Sequence, residues 1–224
     1  MSIAESLIQL RLRVTHAAPS NSSITIVGVT KSVPYRHVCE AIDAGLTHVG
    51  ENYAQEAVVK FAQLRDEFPS VERHFVGALQ TNKIRQLVGL VDVWQSVDRE
   101  SVILELAKHD PGARVFIQVN VGAESQKGGC EPDRCAQVVE RARELGLNVV
   151  GLMTLGVAAD AVATQEGFDN LAVLARDLSL DALSMGMSDD LELALASGAT
   201  HLRVGTALFG SRAVRDDARP TSGT

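Results

Sequence analysis

The chain has 224 residues, 46% hydrophobic and 22% charged, with a formal net charge of -7 and a pI of about 5.4. That length buries a full core without staples, and a surface of that sign repels phosphate backbones, which disfavours nucleic acid as a partner. No apolar run is long enough to cross a bilayer, and three cysteines are too few for a disulfide framework, so the cytoplasm is the expected compartment.

The first residues, MSIAESLIQLRLRVTH, carry Glu5 early and set Leu7, Leu10 and Val14 on one side. This is the pattern of an amphipathic first helix rather than of a signal peptide. From Ile24 onward, short β-branched runs alternate with longer helical stretches. The strand candidates begin at Ile24, Thr47, His74, Val91, Arg114, Asn148, Asp181 and His201, at intervals of roughly 20–35 residues, the length of a βα unit. Pro34 opens a helix whose Val38, Ala41 and Ile42 share a face before Gly45. Pro132 opens another that carries Cys135, Val138, Val139, Ala142 and Leu145 and closes at Gly146, and Leu191, Ala194 and Leu195 repeat the pattern before Gly198. Apolar strands alternating with amphipathic helices imply a parallel sheet covered by helices. Eight units after one extra helix favour an α/β fold, a single-domain (β/α)8 TIM barrel over residues 1–215 with an extra N-terminal helix. An open eight-stranded sheet is the alternative. Residues 216–224 are polar without an apolar face and are expected to form a disordered tail.

In such barrels the active face is built at the C-terminal ends of the strands. The residues at or just past those ends are Lys31, Asn52, Gln80, Ser96, Asn120, Thr154, Ser188 and Thr206, a polar set with one amine and no carboxylate. Half-desolvated in the barrel mouth, Lys31 would have a depressed pKa and an amine available to a carbonyl; solvated, it would only end a strand. Lys83, at the start of a helix, and Lys127, in the loop SQKGG, are rivals less flush with a strand end. The segments SMGMSDD (Ser184–Asp190) and RVGTALFGSR (Arg203–Arg212) follow strands seven and eight, where barrels of this kind cradle phosphate. Read blandly, Ser188 is a helix cap and Gly205 a tight turn. Asp189 and Asp190 would compete with an anion for the helix start and must point outward for a cradle to work. No HExxH or comparable spacing occurs among the six histidines, which disfavours a metal site. Cys130 and Cys135 form no CxxC pair, and neither a GxSxG elbow nor a P-loop occurs.

VTKSVP, HVGENYAQE, HFVGALQTNK, FIQVN followed by KGG, GLMT, LSMGMSDD and LRVGTALFG occur in that order. Through these motifs the chain resembles the pyridoxal phosphate (PLP) homeostasis protein family from about Ile3 to Arg212. The resemblance implies a barrel like the N-terminal domain of alanine racemase, holding PLP as a Schiff base on Lys31. It places Ser188, Gly205 and Thr206 at the phosphate, Arg203 at the pyridine nitrogen, and Asn52 and Met153 along the ring; Ser184, which opens the seventh-strand segment, joins this cofactor-binding set. Thr30 stands where serine is common before the lysine, and Leu155–Ala161, at the rim of the mouth, lacks the usual proline-rich form.

A cation facing the pyridine nitrogen keeps that nitrogen unprotonated and makes the ring a poor electron sink. Racemisation also needs a second acid/base on the opposite face, which the two-domain racemases take from a further domain; here Tyr35 and Tyr53 are the only tyrosines. The expected role is therefore intracellular PLP homeostasis by a monomer, buffering or delivering the cofactor to PLP-dependent apoenzymes. A small racemase-like enzyme is the alternative, and a lysine-dependent sugar-phosphate lyase ranks last because the mouth lacks carboxylates.

Overall fold

In the computed structural model, residues 1–18, 23–122, 124 and 128–210 are described. Lys127 and the expected tail, residues 216–224, lie outside them.

The helix α1 (Ile3–Ala17) starts at a capping box: the Ser2 hydroxyl accepts the Glu5 N–H, and the Glu5 carboxylate accepts the Ser2 N–H. Leu7, Leu10 and Val14 are its buried face, as their spacing predicts. Eight strands then alternate with helices: β1 (Thr25–Val29), α2 (Tyr35–Asp43), β2 (His48–Glu51), α3 (Ala54–Glu67), β3 (Glu72–Phe75), α4 (Thr81–Leu87), β4 (Val93–Val97) and α5 (Glu100–His109). β5 (Arg114–Gln118), a 3-10 turn (Pro132–Arg134), α6 (Cys135–Glu144), β6 (Asn148–Met153), α7 (Ala161–Asp177), β7 (Ala182–Ser184), α8 (Leu191–Ala196), β8 (His201–Val204) and α9 (Thr206–Phe209) complete the order. Every neighbouring pair is parallel, and β1 pairs with β8, so the sheet closes into the expected barrel. The open-sheet alternative falls. No helix among the described residues is long and apolar enough to cross a membrane.

The third strand starts two residues before the predicted His74 and ends at Phe75. Beyond it the backbone turns so closely past β2 that a Cβ on Gly77 would stand 2.0 Å from the Asn52 carbonyl oxygen. Only glycine fits there, and its cost to the strand is the strand's end.

Alternation along the strands sorts side chains into two layers. Trp94, Val115, Ile117, Leu152, Leu202 and Val204 join the large core between sheet and helices. Inside the barrel, Val93, Phe116 and Met153 form a small apolar plug, and the remaining space is polar: His74, Gln95, Ser184 and Arg203 are all buried. A polar interior is costly unless its groups are paired, and here Arg203, Ser184, Gln95 and His74 are joined in one hydrogen-bonded chain.

His201, at the start of β8, sits edge-on to Phe116 with ring centroids 5.1 Å apart. Burial, with the neighbouring His74 and His48, pulls its pKa down to about 4. The unfolded chain therefore binds a proton that the folded chain refuses between about pH 6.5 and 4. Stability from this residue is complete above about pH 6.5 and is lost as the pH falls, by about 3 kcal/mol in all. His74, also lowered by burial, acts with the same sign. Urea unfolding in chelator-treated buffer should show this slope in the wild type and a shallower one in His201→Gln.

Candidate functional site at the C-terminal mouth of the barrel

Lys31 sits in a turn just past β1, closed by the Val33 N–H donating to the Thr30 carbonyl at 3.0 Å. The turn is clamped from below by a buried lysine. Lys60 Nζ, on α3, donates to the Thr30 carbonyl (2.6 Å), to Glu51 Oε1 (2.7 Å) and to Glu56 Oε2 (2.9 Å). Thr30 Oγ1 donates to the same Glu51 oxygen at 2.7 Å. Glu56 also accepts the N–H of Ser32 at 2.8 Å, which holds Ser32 at a φ of 59°, an unusual value for a non-glycine residue. Glu51 is fully buried; desolvation raises its pKa, against the opposing pull of Lys60 and Thr30. The backbone of the turn is thus fixed, while the Lys31 side chain is exposed and makes no hydrogen bond or ion pair within the described residues. The expected half-desolvation of Lys31 is not found: the turn lifts it off the sheet and into solvent.

The loops after β7 and β8 meet each other. Ser188 Oγ accepts the N–H of Ala207 at 3.0 Å, so Ser188 caps the start of α9 rather than its own helix. A Cβ on Gly205 would find the Val29 carbonyl oxygen at 3.5 Å as its nearest neighbour, and its φ is -108°. Neither packing nor backbone requires glycine here, and the space above it faces the mouth. Gly186 differs: at φ +93° its Cβ would collide with Ala194 at 2.6 Å, so the turn after β7 needs glycine. Thr206 is exposed beside Gly205.

Arg203 is buried under these loops. Its two terminal nitrogens donate to Ser184 Oγ (2.8 Å) and to the Thr154 carbonyl (2.7 Å), leaving Nε uncommitted. Burial pulls its pKa down to about 10, so it stays cationic at neutral pH, with the charge of Asp190 partly offsetting the shift. Asp190 does not point outward as a cradle was expected to need. Its carboxylate folds back to accept the Met187 N–H and lies where a Cβ on Gly156 would stand, 2.5 Å from Oδ2. Asp189 is exposed.

Ser184 hands the hydrogen-bond chain on. Its hydroxyl donates to Gln95 Oε1 at 2.6 Å, and Gln95 Nε2 faces His74 Nδ1 at 2.8 Å. Met153 lies directly opposite Ser184 in the β6–β7 register. Asn52, just past β2, is half-buried, and its Oδ1 is buried without a partner, as is Ser96 Oγ near the end of β4. Buried acceptors left unmatched are costly and mark places where a further group belongs.

The other strand-end residues divide. Asn120 and Thr154 are committed to the backbone, through Glu124 O and Val119 O, and Gln80 is exposed. Lys83 is half-buried and lines a groove of about 400 Å³ with Asn52, Tyr53 and Gly77. Tyr53 is 54% exposed; Tyr35 lies on α2, where burial and the nearby Cys39 and Glu67 push its phenol up. Strand-end reading missed Gln95, Lys60 and Glu51. It also missed His48, Glu72 and His74, which the β2–β3 register brings together at the barrel's other end.

Residues 8–213 match the family described as alanine racemase, N-terminal domain. The chain is 39% identical to a pyridoxal phosphate homeostasis protein of Pseudomonas aeruginosa, over 94% of this chain and 96% of that protein. It is 35% identical to the protein of the same name from Escherichia coli K12, over 94% and 97%. Among solved structures, PipY of Synechococcus elongatus PCC7942 is 34% identical and covers 93% of this chain and 100% of its own. It superimposes with a TM-score of 0.83 without PLP and 0.79 with PLP bound.

Proposed function

Because this chain belongs to the pyridoxal phosphate homeostasis protein family, we propose that it holds PLP in the barrel mouth through a Schiff base on Lys31 and keeps the cofactor available to PLP-dependent apoenzymes. One observation carries the reading. The β1–β8 register pairs Gly28 with Val204, so the end of β1 that leads into Lys31 lies beside the end of β8 that leads into Gly205, Thr206 and Ala207.

The residues present fit the cofactor. Gly205 leaves room for a phosphate, which the Thr206 and Ser188 loops border. Arg203 offers Nε to the pyridine nitrogen, Asn52 offers an unmatched Oδ1, and Met153 supplies apolar surface beside Ser184. Bound PLP supplies an aldehyde that exchanges between amines. Lys31 would hold that carbon through its nitrogen and would yield it to an incoming amine.

The site favours holding over turnover. A guanidinium that remains cationic up to about pH 10 keeps the ring nitrogen unprotonated and limits its capacity to accept electrons. Of the two tyrosines that could act as a second acid/base, Tyr35 packs on the outer helix layer, and Tyr53, which borders the groove with Asn52, is 54% exposed. The same reading assigns the protein to the cytoplasm as a monomer.

Added PLP should give a Schiff-base absorbance band, and candidate amino acids in D2O should gain no deuterium at Cα faster than with free PLP. Deuterium incorporation well above that background would instead make the protein a racemase-like enzyme. Gly205→Ala tests the cradle: with 3.5 Å of clearance the fold should be unaffected. PLP affinity should fall tenfold or more, about 1.4 kcal/mol. Unchanged affinity in an equilibrium titration would remove Gly205 from the site.

A further inference from the structure

At the N-terminal end of the barrel, far along the strands from Lys31, three side chains converge. His48 starts β2, and the register sets it opposite Glu72, which starts β3; His74 follows two residues later on the same inner face. His74 Nε2 and Glu72 Oε1 are 3.0 Å apart, His48 Nδ1 and His74 Nε2 are 3.2 Å apart, and His48 Nδ1 and Glu72 Oε1 are 3.4 Å apart. The three atoms form a nearly equilateral triangle.

Protons alone cannot satisfy this triangle. Each ring nitrogen carries at most one hydrogen, and the carboxylate oxygen carries none. With one ring nitrogen protonated, the other faces the carboxylate oxygen lone pair to lone pair. With both protonated, two N–H groups face each other across 3.2 Å. Every arrangement leaves one edge of like groups. A cation centred over the triangle converts all three edges into ligand–ligand separations. For metal–ligand distances of about 2.0–2.1 Å, a tetrahedron has edges of about 3.3–3.4 Å, close to those observed.

We propose that His48, Glu72 and His74 bind a divalent cation of the zinc type, with a fourth position open to solvent. The donor set of two imidazoles and a carboxylate suits such an ion. The supporting shell is present. Arg114 donates to the other Glu72 oxygen, Oε2, at 2.8 Å, fixing the carboxylate so that Oε1 faces the histidines. The second nitrogen of His74, Nδ1, lies 2.8 Å from the Gln95 amide. With the Gln95 amide turned over, its oxygen accepts from His74 Nδ1 and its Nε2 donates to Ser184 Oγ in place of the hydroxyl bond described above, so that His74 presents a bare Nε2 to the metal, the usual orientation of a ligating histidine. The His48 and Glu72 side chains are 26% and 25% exposed, so an ion can enter from solvent. This proposal is independent of the cofactor reading at the opposite end.

The test is titration of the full-length protein with cobalt(II) chloride, followed by visible absorption, and with zinc chloride as competitor. The expected result is one equivalent of cobalt with the intense d–d bands of a tetrahedral site, displaced by zinc. These bands should be lost in His48→Ala and Glu72→Gln while the Schiff-base band with added PLP persists. His48→Cys should restore cobalt binding and add a sulfur-to-cobalt charge-transfer band absent from the wild type. That variant guards against a loss caused only by misfolding. Pale octahedral bands, binding that survives His48→Ala, or charge-transfer absorption in the wild type from its own cysteines would each overturn the assignment.

Discussion

Lys31→Ala is expected to fold as the wild type does and to lose the Schiff-base absorbance band entirely. The side chain is exposed and makes no hydrogen bond or ion pair within the described residues, so its removal should change stability by less than about 0.5 kcal/mol. The loss on the binding side is of another order, because the covalent link disappears and only phosphate and ring contacts remain. A spectrum taken with excess PLP, beside a urea unfolding curve, reads both quantities from one preparation. A variant that keeps the band places the anchor on another lysine.

Lys60→Met should be the most damaging single change to the fold near the site. It leaves Glu51, with no exposed surface, as a buried carboxylate without its cation, at a cost of about 3–5 kcal/mol. It also frees the Thr30 carbonyl and Glu56, which hold the turn carrying Lys31, so PLP affinity should fall as well. The double variant Glu51→Gln, Lys60→Met removes the charge imbalance and should recover much of the stability, but not the tight turn. Urea unfolding of the three chains separates these effects; a loss below 1 kcal/mol in Lys60→Met would mean that the pair contributes little.

The barrel was legible because the βα units announce themselves: a short β-branched run, then an amphipathic helical stretch, opened in two of them by a proline, Pro34 and Pro132. Half of the candidate site was legible for a related reason. Residues just past a strand lie at the mouth whatever the register, so Lys31, Asn52, Ser188 and Thr206 could be placed by counting. What lies inside the barrel could not be counted out, and Arg203, Ser184 and Met153 came in only through the family resemblance. Arg203, Ser184, Gln95 and His74 come from four different strands, and their contacts depend on closure and on residue-by-residue register, neither of which leaves a spacing motif. The same holds for His48 with Glu72, whose meeting is a pairing of β2 with β3 and not a helical repeat. Lys60 is different, because a signal was there. It falls on the buried face of α3 with Ala57, Phe61 and Leu64, and a lysine on a core-facing stripe demands a buried anion, which Glu51 supplies. The orientation of Asp190 had no signal in the sequence, because a carboxylate at a helix start can face either way. Here a free N–H at Met187 and the nearby Arg203 draw it inward.

The most direct measurement is borohydride reduction of the wild-type protein loaded with PLP, followed by proteolysis and mass mapping of the labelled peptide. The expected result is one reduced pyridoxyl group per chain, on Lys31. Label on Lys83 or Lys127 in its place, or a chain left unlabelled, would contradict the account.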